Sequence, residues 1–133
     1  MTTFIDTNAL ISILDENEPD HEWAVREFAA CKARGPVLIC DTVYCEWSVA
    51  MDTREQVDAA AAALALDRYP QDDESLFRAG KAFLEYRQNR GAANQVLPDF
   101  VVGAVAEVNG APLMTADVRR FRTYFPNVQL IHP

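Results

Sequence analysis

Four short apolar runs, separated by longer stretches of helical periodicity, constrain what this chain can fold into more than any other feature. The runs are Thr3 to Ile5, Val37 to Cys40, Leu113 to Thr115 and Val128 to Ile131, with a weaker fifth near Arg68 and Tyr69. Each is too short to be more than a strand. Helical patterns fill the gaps. Asn8 to Leu14 follows the first run, Asp20 to Arg34 stops at Gly35-Pro36, and Thr42 to Met51 follows the second run. The alanine-rich 'REQVDAAAAALAL' has high intrinsic helix propensity. In 'DDESLFRAGKAFLEYRQNRG' the acids come first and the cations last, as a helix dipole prefers, and Leu76, Gly80, Phe83 and Leu84 are expected to line its inner face. The last long helix is 'PDFVVGAVAEVNG', from Pro98 to the stop at Asn109-Gly110. Strands alternating with helices predict an α/β protein whose central, mostly parallel sheet is covered on both sides.

No repeat or long Pro/Gly/Ser linker divides the 133 residues, so one domain spanning 1–133 is expected. The start lacks the charged and apolar regions of a signal peptide, and no apolar run is long enough to span a bilayer. Cys31, Cys40 and Cys45 are odd in number and sit among apolar neighbours, which suits small buried side chains in a reducing cytoplasm. His21 and His132 show no zinc-ligand spacing to them. The net charge of -8 argues against a surface that grips nucleic acid all over, but the charge is unevenly spread. Residues 1–76 hold 5 basic and 16 acidic side chains, whereas residues 77–133 hold 7 basic and 4 acidic. The late cations fall into two groups, Arg78, Lys81, Arg87 and Arg90, then Arg119, Arg120 and Arg122.

Four carboxylates stand where packing alone does not ask for them. Asp6 ends the first strand in 'FIDTNALIS'. In open parallel sheets, sites collect just beyond the carboxyl ends of strands. Thr7 and Asn8 are available to cap the next helix, which leaves Asp6 without an obvious structural task. Glu46, in 'CDTVYCEWSVAM', shares a helical face with Val43, Val49 and Ala50, and a capping box counted from Thr42 misses it by one position. A buried lone carboxylate costs several kcal/mol, roughly, so an Arg or a metal is expected beside it. Asp99 lies in the first turn of its helix with Val102, Gly103 and Ala106 on its face, a face small enough to approach the sheet closely. Asp117 follows the strand 'LMT' and opens a helix 'DVRRF' that Thr115 could cap. Brought within ~5 Å of one another, each ionised pair would repel by roughly 3 kcal/mol at an effective dielectric of 20. Such a cluster raises its own pKa values or recruits a cation, and an all-oxygen donor set favours Mg²⁺ or Mn²⁺ over zinc.

Taken in order, 'FIDTNALIS', Glu46 after the second strand, 'PDFVVGAVAEVNG' and 'LMTADVRRF' resemble, over almost the whole chain, a PIN domain of the small single-domain VapC toxin type. The 'DTN' opening and the 'TAD...F' closing are the most specific parts. The resemblance implies a three-layer α/β/α fold and a Mg²⁺- or Mn²⁺-dependent endoribonuclease site. By position, Asp6, Glu46, Asp99 and Asp117 match the family's acidic residues, and Thr7, Asn8 and Thr115 its supporting polar ones. It further implies hydrolysis to 5'-phosphate and 3'-hydroxyl products, a VapB-type antitoxin whose C-terminal segment covers the site, and a homodimer. Two positions depart from the pattern. Pro98 stands where Ala is common, and Arg120 stands where another acid is frequent, which brings a second metal into question. Arg119, Arg120 and Arg122, beside Asp117, are the candidates for RNA-phosphate contacts. Trp23, Phe28, Trp47 and the alanine-rich helix are either partner-facing or core. Competing readings are a PIN-like binding module without catalysis and a housekeeping RNA-processing nuclease. A phosphoaspartate hydrolase would need an Asp in place of Asn8, and a response-regulator receiver would need paired acids after the first strand.

Overall fold

The computed structural model describes residues 1–92 and 96–133. Five strands form one sheet: β1 Thr3–Ile5, β2 Val37–Cys40, β3 Asp67–Tyr69, β4 Leu113–Met114 and β5 Leu130–Ile131. The spatial order is β3-β2-β1-β4-β5, and every pairing is parallel. Phe4 is in register with Leu38 on one side and Leu113 on the other, which fixes β1 at the centre. β1 is buried at all three positions. β4 and β5 are shorter than their apolar runs suggested.

Among the described residues, seven helices connect them: α1 Thr7–Leu14, α2 His21–Arg34, α3 Asp41–Val49, α4 Arg54–Ala63, α5 Asp73–Gln88, α6 Leu97–Val108 and α7 Arg119–Tyr124. From β1 the chain steps outward through β2 to β3, then returns past β1 to β4 and on to β5. Right-handed crossovers in the two directions put α1 to α4 on one face and α5 to α7 on the other, the expected three-layer α/β/α arrangement. The direction of travel reverses between β1 and β4. A crevice opens at their carboxyl ends, the place where open sheets of this kind bind ligands.

Packing corrects several local expectations. The inner face of α5 is Ser75, Ala79 and Ala82, with Phe83 half-buried, while Leu76 and Leu84 are exposed. α5 lies closely along α6, and small residues permit that approach. Gly103 in α6 meets the Phe125 ring rather than the sheet: a Cβ there would stand 2.5 Å from it. Phe83, Tyr86, Phe100, Tyr124 and Phe125 form a continuous aromatic cluster between α5, α6 and the end of α7. Trp23 and Trp47 are core residues and Phe28 is half-buried. Cys31 and Cys40 are buried as expected, but Cys45 is exposed. Among the described residues, no helix is long and apolar enough to cross a membrane.

Candidate metal centre

The crevice between β1 and β4 is where distant parts of the chain meet. Asp6 is the first residue after β1, and it is only 4 % exposed. One of its oxygens, Oδ1, accepts the Thr7 backbone N–H at 2.8 Å, so Asp6 itself is the N-cap of α1. Thr7 and Asn8, expected to cap that helix, do other work. The second oxygen, Oδ2, accepts the Thr115 hydroxyl at 2.9 Å across a sequence separation of 109 residues. Thr115 is fully buried just after β4, and its Oγ1 in turn accepts the Asp117 backbone N–H at 3.2 Å. Asn8 Oδ1 accepts the Ala116 N–H at 3.0 Å, binding the start of α1 to the loop after β4. Thr115 therefore does not cap α7. That helix begins later than expected, at Arg119, with Val118 as its N-cap and no side-chain cap bond.

A cavity of about 40 Å³ opens here, lined by Asp6, Asn8, Asp99, Asp117, Arg120 and Phe121. Asp99 reaches it from the first turn of α6, whose inward face carries the buried Val102, Gly103 and Ala106 that the sequence pattern assigned to it. Three of the four carboxylates thus share one cavity. Glu46 comes to its edge by another route: its Oε1 accepts the Thr7 hydroxyl at 2.9 Å. The partner expected beside Glu46 is therefore a hydroxyl. Its helical face is also wetter than expected, because Val43 is buried while Val49 is 87 % exposed.

Electrostatics separates these acids. Burial pushes the Asp6 carboxyl up to about 7, with the Asp99 and Glu46 charges adding to the rise and the Thr115 and Thr7 hydrogen bonds opposing it. Burial also lifts Asp99 to about 6, against the pull of the Arg120 guanidinium and with Glu46 and Asp117 pushing upward. Asp117 is held below the usual carboxylate range, chiefly by hydrogen bonds from Arg119. Arg119 grips it side-on, with Nε at 3.0 Å from Oδ1 and Nη2 at 2.7 Å from Oδ2. Arg120 Nη1 lies 3.6 Å from Asp99 Oδ2. The pairing of Arg120 with Asp99 depends on how α7 turns against the start of α6, which sequence pattern does not report, whereas Arg119 and Asp117 pair locally across two residues.

The three arginines are not equivalent. Arg119 is exposed and committed to Asp117, and Arg122 points its Nη2 at His132, 3.1 Å away. Arg120 alone among them lines the cavity. Among the described residues, no three His, Cys, Asp or Glu side chains stand close enough together to hold a metal ion. The donor chemistry nevertheless fits a hard cation. Carboxylate oxygens with two of their pKa values raised by burial and mutual repulsion are the groups that a divalent ion would return to the charged state.

Comparison with known proteins agrees with this architecture. The family profile described as PIN domain matches residues 3–125. No curated protein matches the chain. Among solved structures, VapBC2 from Rickettsia felis, bound to a DNA fragment from its promoter, is 17% identical with a TM-score of 0.75, over 99% of this chain and 98% of that one. VapBC-1 from nontypeable Haemophilus influenzae is 17% identical with a TM-score of 0.74, over 99% and 98%. Mycobacterium tuberculosis VapC20, a sarcin-ricin loop cleaving toxin, is 18% identical with a TM-score of 0.65, over 91% and 94%. At these identities the likeness is one of fold.

Proposed function

The chain belongs to the PIN domain family, and from that premise we propose that it is a Mg²⁺- or Mn²⁺-dependent endoribonuclease, the toxin of a VapBC-type pair. The observation that carries the proposal is the convergence of Asp6, Asp99 and Asp117 on one cavity from three separate elements, with Glu46 tied to its edge through Thr7. Asp6, Glu46, Asp99 and Asp117 are the residues that would hold the ion. Bound there, a divalent cation supplies Lewis acidity toward a phosphate oxygen and a water of lowered pKa for in-line hydrolysis.

The chain's own residues prepare that chemistry. Thr115 and the Thr7 N–H fix the two oxygens of Asp6, so its carboxylate cannot rotate away. The Thr7 hydroxyl holds Glu46 toward the same edge, and Asn8 locks the loop that carries Asp117. Arg120 stands in the cavity wall, where a guanidinium can donate to a phosphate oxygen, and Arg119 is exposed enough to exchange Asp117 for phosphate. Arg122, turned toward His132, is the weakest of the three candidates. The partners proposed with this function are an RNA substrate, a VapB-type antitoxin and a second copy of the chain, and the compartment is the cytoplasm.

Purified protein cleaves RNA in Mg²⁺ or Mn²⁺ and stops in EDTA, and Asp6→Asn and Asp99→Asn each abolish cleavage with the circular dichroism unchanged. Cleavage that persists in both variants overturns the assignment. A reading without catalysis has one observation in its favour, that arginines already occupy Asp117 and Asp99. Titration with Mn²⁺ decides between them: heat in the wild type that Asp6→Asn lacks supports the nuclease, and no such heat supports a binding module.

A further inference from the structure

We infer that the outward face of α5 is the surface on which a second copy of this chain docks, with the two α5 helices running antiparallel and crossing at Gly80. The inference rests on the second copy named among the proposed partners and goes beyond it by assigning the face and the register. It stands apart from the nuclease chemistry.

α5 carries its large apolar residues on the side away from the core. Ser75, Ala79 and Ala82 are buried against the body of the protein, while Leu76 is 42% exposed, Leu84 48% and Phe77 69%. A helix that meets the core on one side and water on the other has the opposite pattern, with large apolar residues inward and polar ones outward. Single exposed leucines are ordinary. Here the exposed residues are not scattered: at 3.6 residues per turn, Asp73, Leu76, Phe77, Gly80, Leu84 and Arg87 fall within a stripe roughly 100° wide. All six are exposed.

Gly80 lies in the middle of that stripe. Its backbone is ordinary helix, and a Cβ added there would meet nothing within 4 Å. Nothing inside the chain therefore calls for glycine, although in mid-helix it costs about 1 kcal/mol relative to Ala. What glycine permits at an exposed helix position is the close approach of another backbone, near the short end of helix separations at roughly 8 Å. A methyl still fits such an approach, and a longer side chain does not.

The stripe is also complementary to itself. A twofold axis through Gly80 sets each residue before it opposite one equally far after it. Asp73 then faces Arg87 of the second copy, twice over, and Phe77 packs against its Leu84 with Leu76 alongside. A parallel pair would instead oppose Asp73 to Asp73 and Arg87 to Arg87. Charge thus selects the antiparallel register, and it selects a second copy as the occupant. Lys81, whose Nζ is 5.2 Å from the Phe77 ring centroid, stands at the edge of the stripe and forms part of a polar rim. None of the residues lining the crevice cavity belongs to α5, so this face is changed without touching the proposed site.

Sedimentation equilibrium of the full chain in EDTA, with no other protein present, tests the inference. Wild type is a dimer at micromolar concentration. Phe77→Asp and Gly80→Gln each raise the dimer dissociation constant by roughly thirtyfold or more, the effect of losing a central anchor on both sides. Gln is a better helix former than Gly, so Gly80→Gln keeps its circular dichroism and its monomer is a folded one. Asp73→Arg and Arg87→Asp each weaken the dimer, and combining them restores it. A wild type that stays monomeric overturns the inference and gives the face to another occupant. A dimer indifferent to both Phe77→Asp and Gly80→Gln overturns it by placing the interface elsewhere, and a double charge variant no tighter than the single ones overturns the register. RNA cleavage is read in a separate assay, so the nuclease reading and this one can each fail while the other stands.

Discussion

Replacing Asp6 by Asn makes the metal-free protein more stable, and by an amount that depends on pH. Asp6 is pushed from 3.8 up to about 7 in the folded chain. Between those two values the native state holds a proton that the unfolded state has released, so stability falls as pH rises through this window. At about 1.4 kcal/mol per pH unit, the gap sets an upper bound of about 4 kcal/mol of destabilisation once pH exceeds 7. Asn carries no charge and so escapes this loss. It also keeps the local structure: its Oδ1 still accepts the Thr7 N–H, since Asn caps helices as well as Asp does. The Thr115 hydroxyl, which donates to Asp6 now, can turn to accept from the Asn amide and donate to Asn8 Oδ1 or the Asp117 carbonyl instead. Urea unfolding in EDTA from pH 4 to pH 8.5 measures the effect. The variant matches the wild type near pH 4 and exceeds it by on the order of 2–4 kcal/mol at pH 8. Adding Mn²⁺ restores the wild type by roughly 2.7 kcal/mol at a hundredfold excess over its dissociation constant and leaves the variant nearly unmoved. A variant less stable than the wild type at pH 8, or a difference the same at both ends of the range, refutes the claim that Asp6 is a strained carboxylate.

Two further outcomes test the surroundings of the site and its support. Thr115→Val strips Asp6 of its hydroxyl donor and the Asp117 N–H of its acceptor, and lowers stability by about 1–3 kcal/mol, more at pH 8 than at pH 5, where a protonated Asp6 needs the donor less; the same urea series reads both. The two helix glycines behave in opposite ways in thermal melts. Gly103→Ala costs about 1–3 kcal/mol, because its methyl collides with the buried Phe125 ring, whereas Gly80→Ala meets nothing within 4 Å and gains about 0.5–1 kcal/mol of helix propensity.

The same contrast explains which parts of the fold could be read from the chain. β1 and β2 were legible because their residues, Thr3 apart, are apolar and buried nearly throughout, so no choice of face arises. On α5 the choice did arise, and the larger residues misled: Leu76 and Leu84 face outward because close contact with α6 selects Ser75, Ala79 and Ala82. Periodicity reports which residues share a face but not which face the neighbouring helix prefers. The same limit applies to the cations, since the pairing of Arg120 with Asp99 depends on the angle between α7 and α6. Glu46 was singled out on an argument about burial that the exposure of Val49 weakens, and its tie to the Thr7 hydroxyl could not be read from the chain.

Asp6 shows why a structural explanation for a residue does not compete with a functional one. The structure makes Asp6 the helix cap, and that leaves its second oxygen available for the proposed role in the site. A carboxylate has two oxygens and about four lone pairs, and the helix N-terminus takes only one bond from Oδ1. Oδ2 faces the other way, to Thr115 and the crevice between β1 and β4. The cap is what holds the second oxygen in place, at the point where the strand order reverses. An acid at the carboxyl end of a central parallel strand can thus be read as a cap and a ligand at once, and Asn at this position separates the two, since it keeps the first role and loses the second.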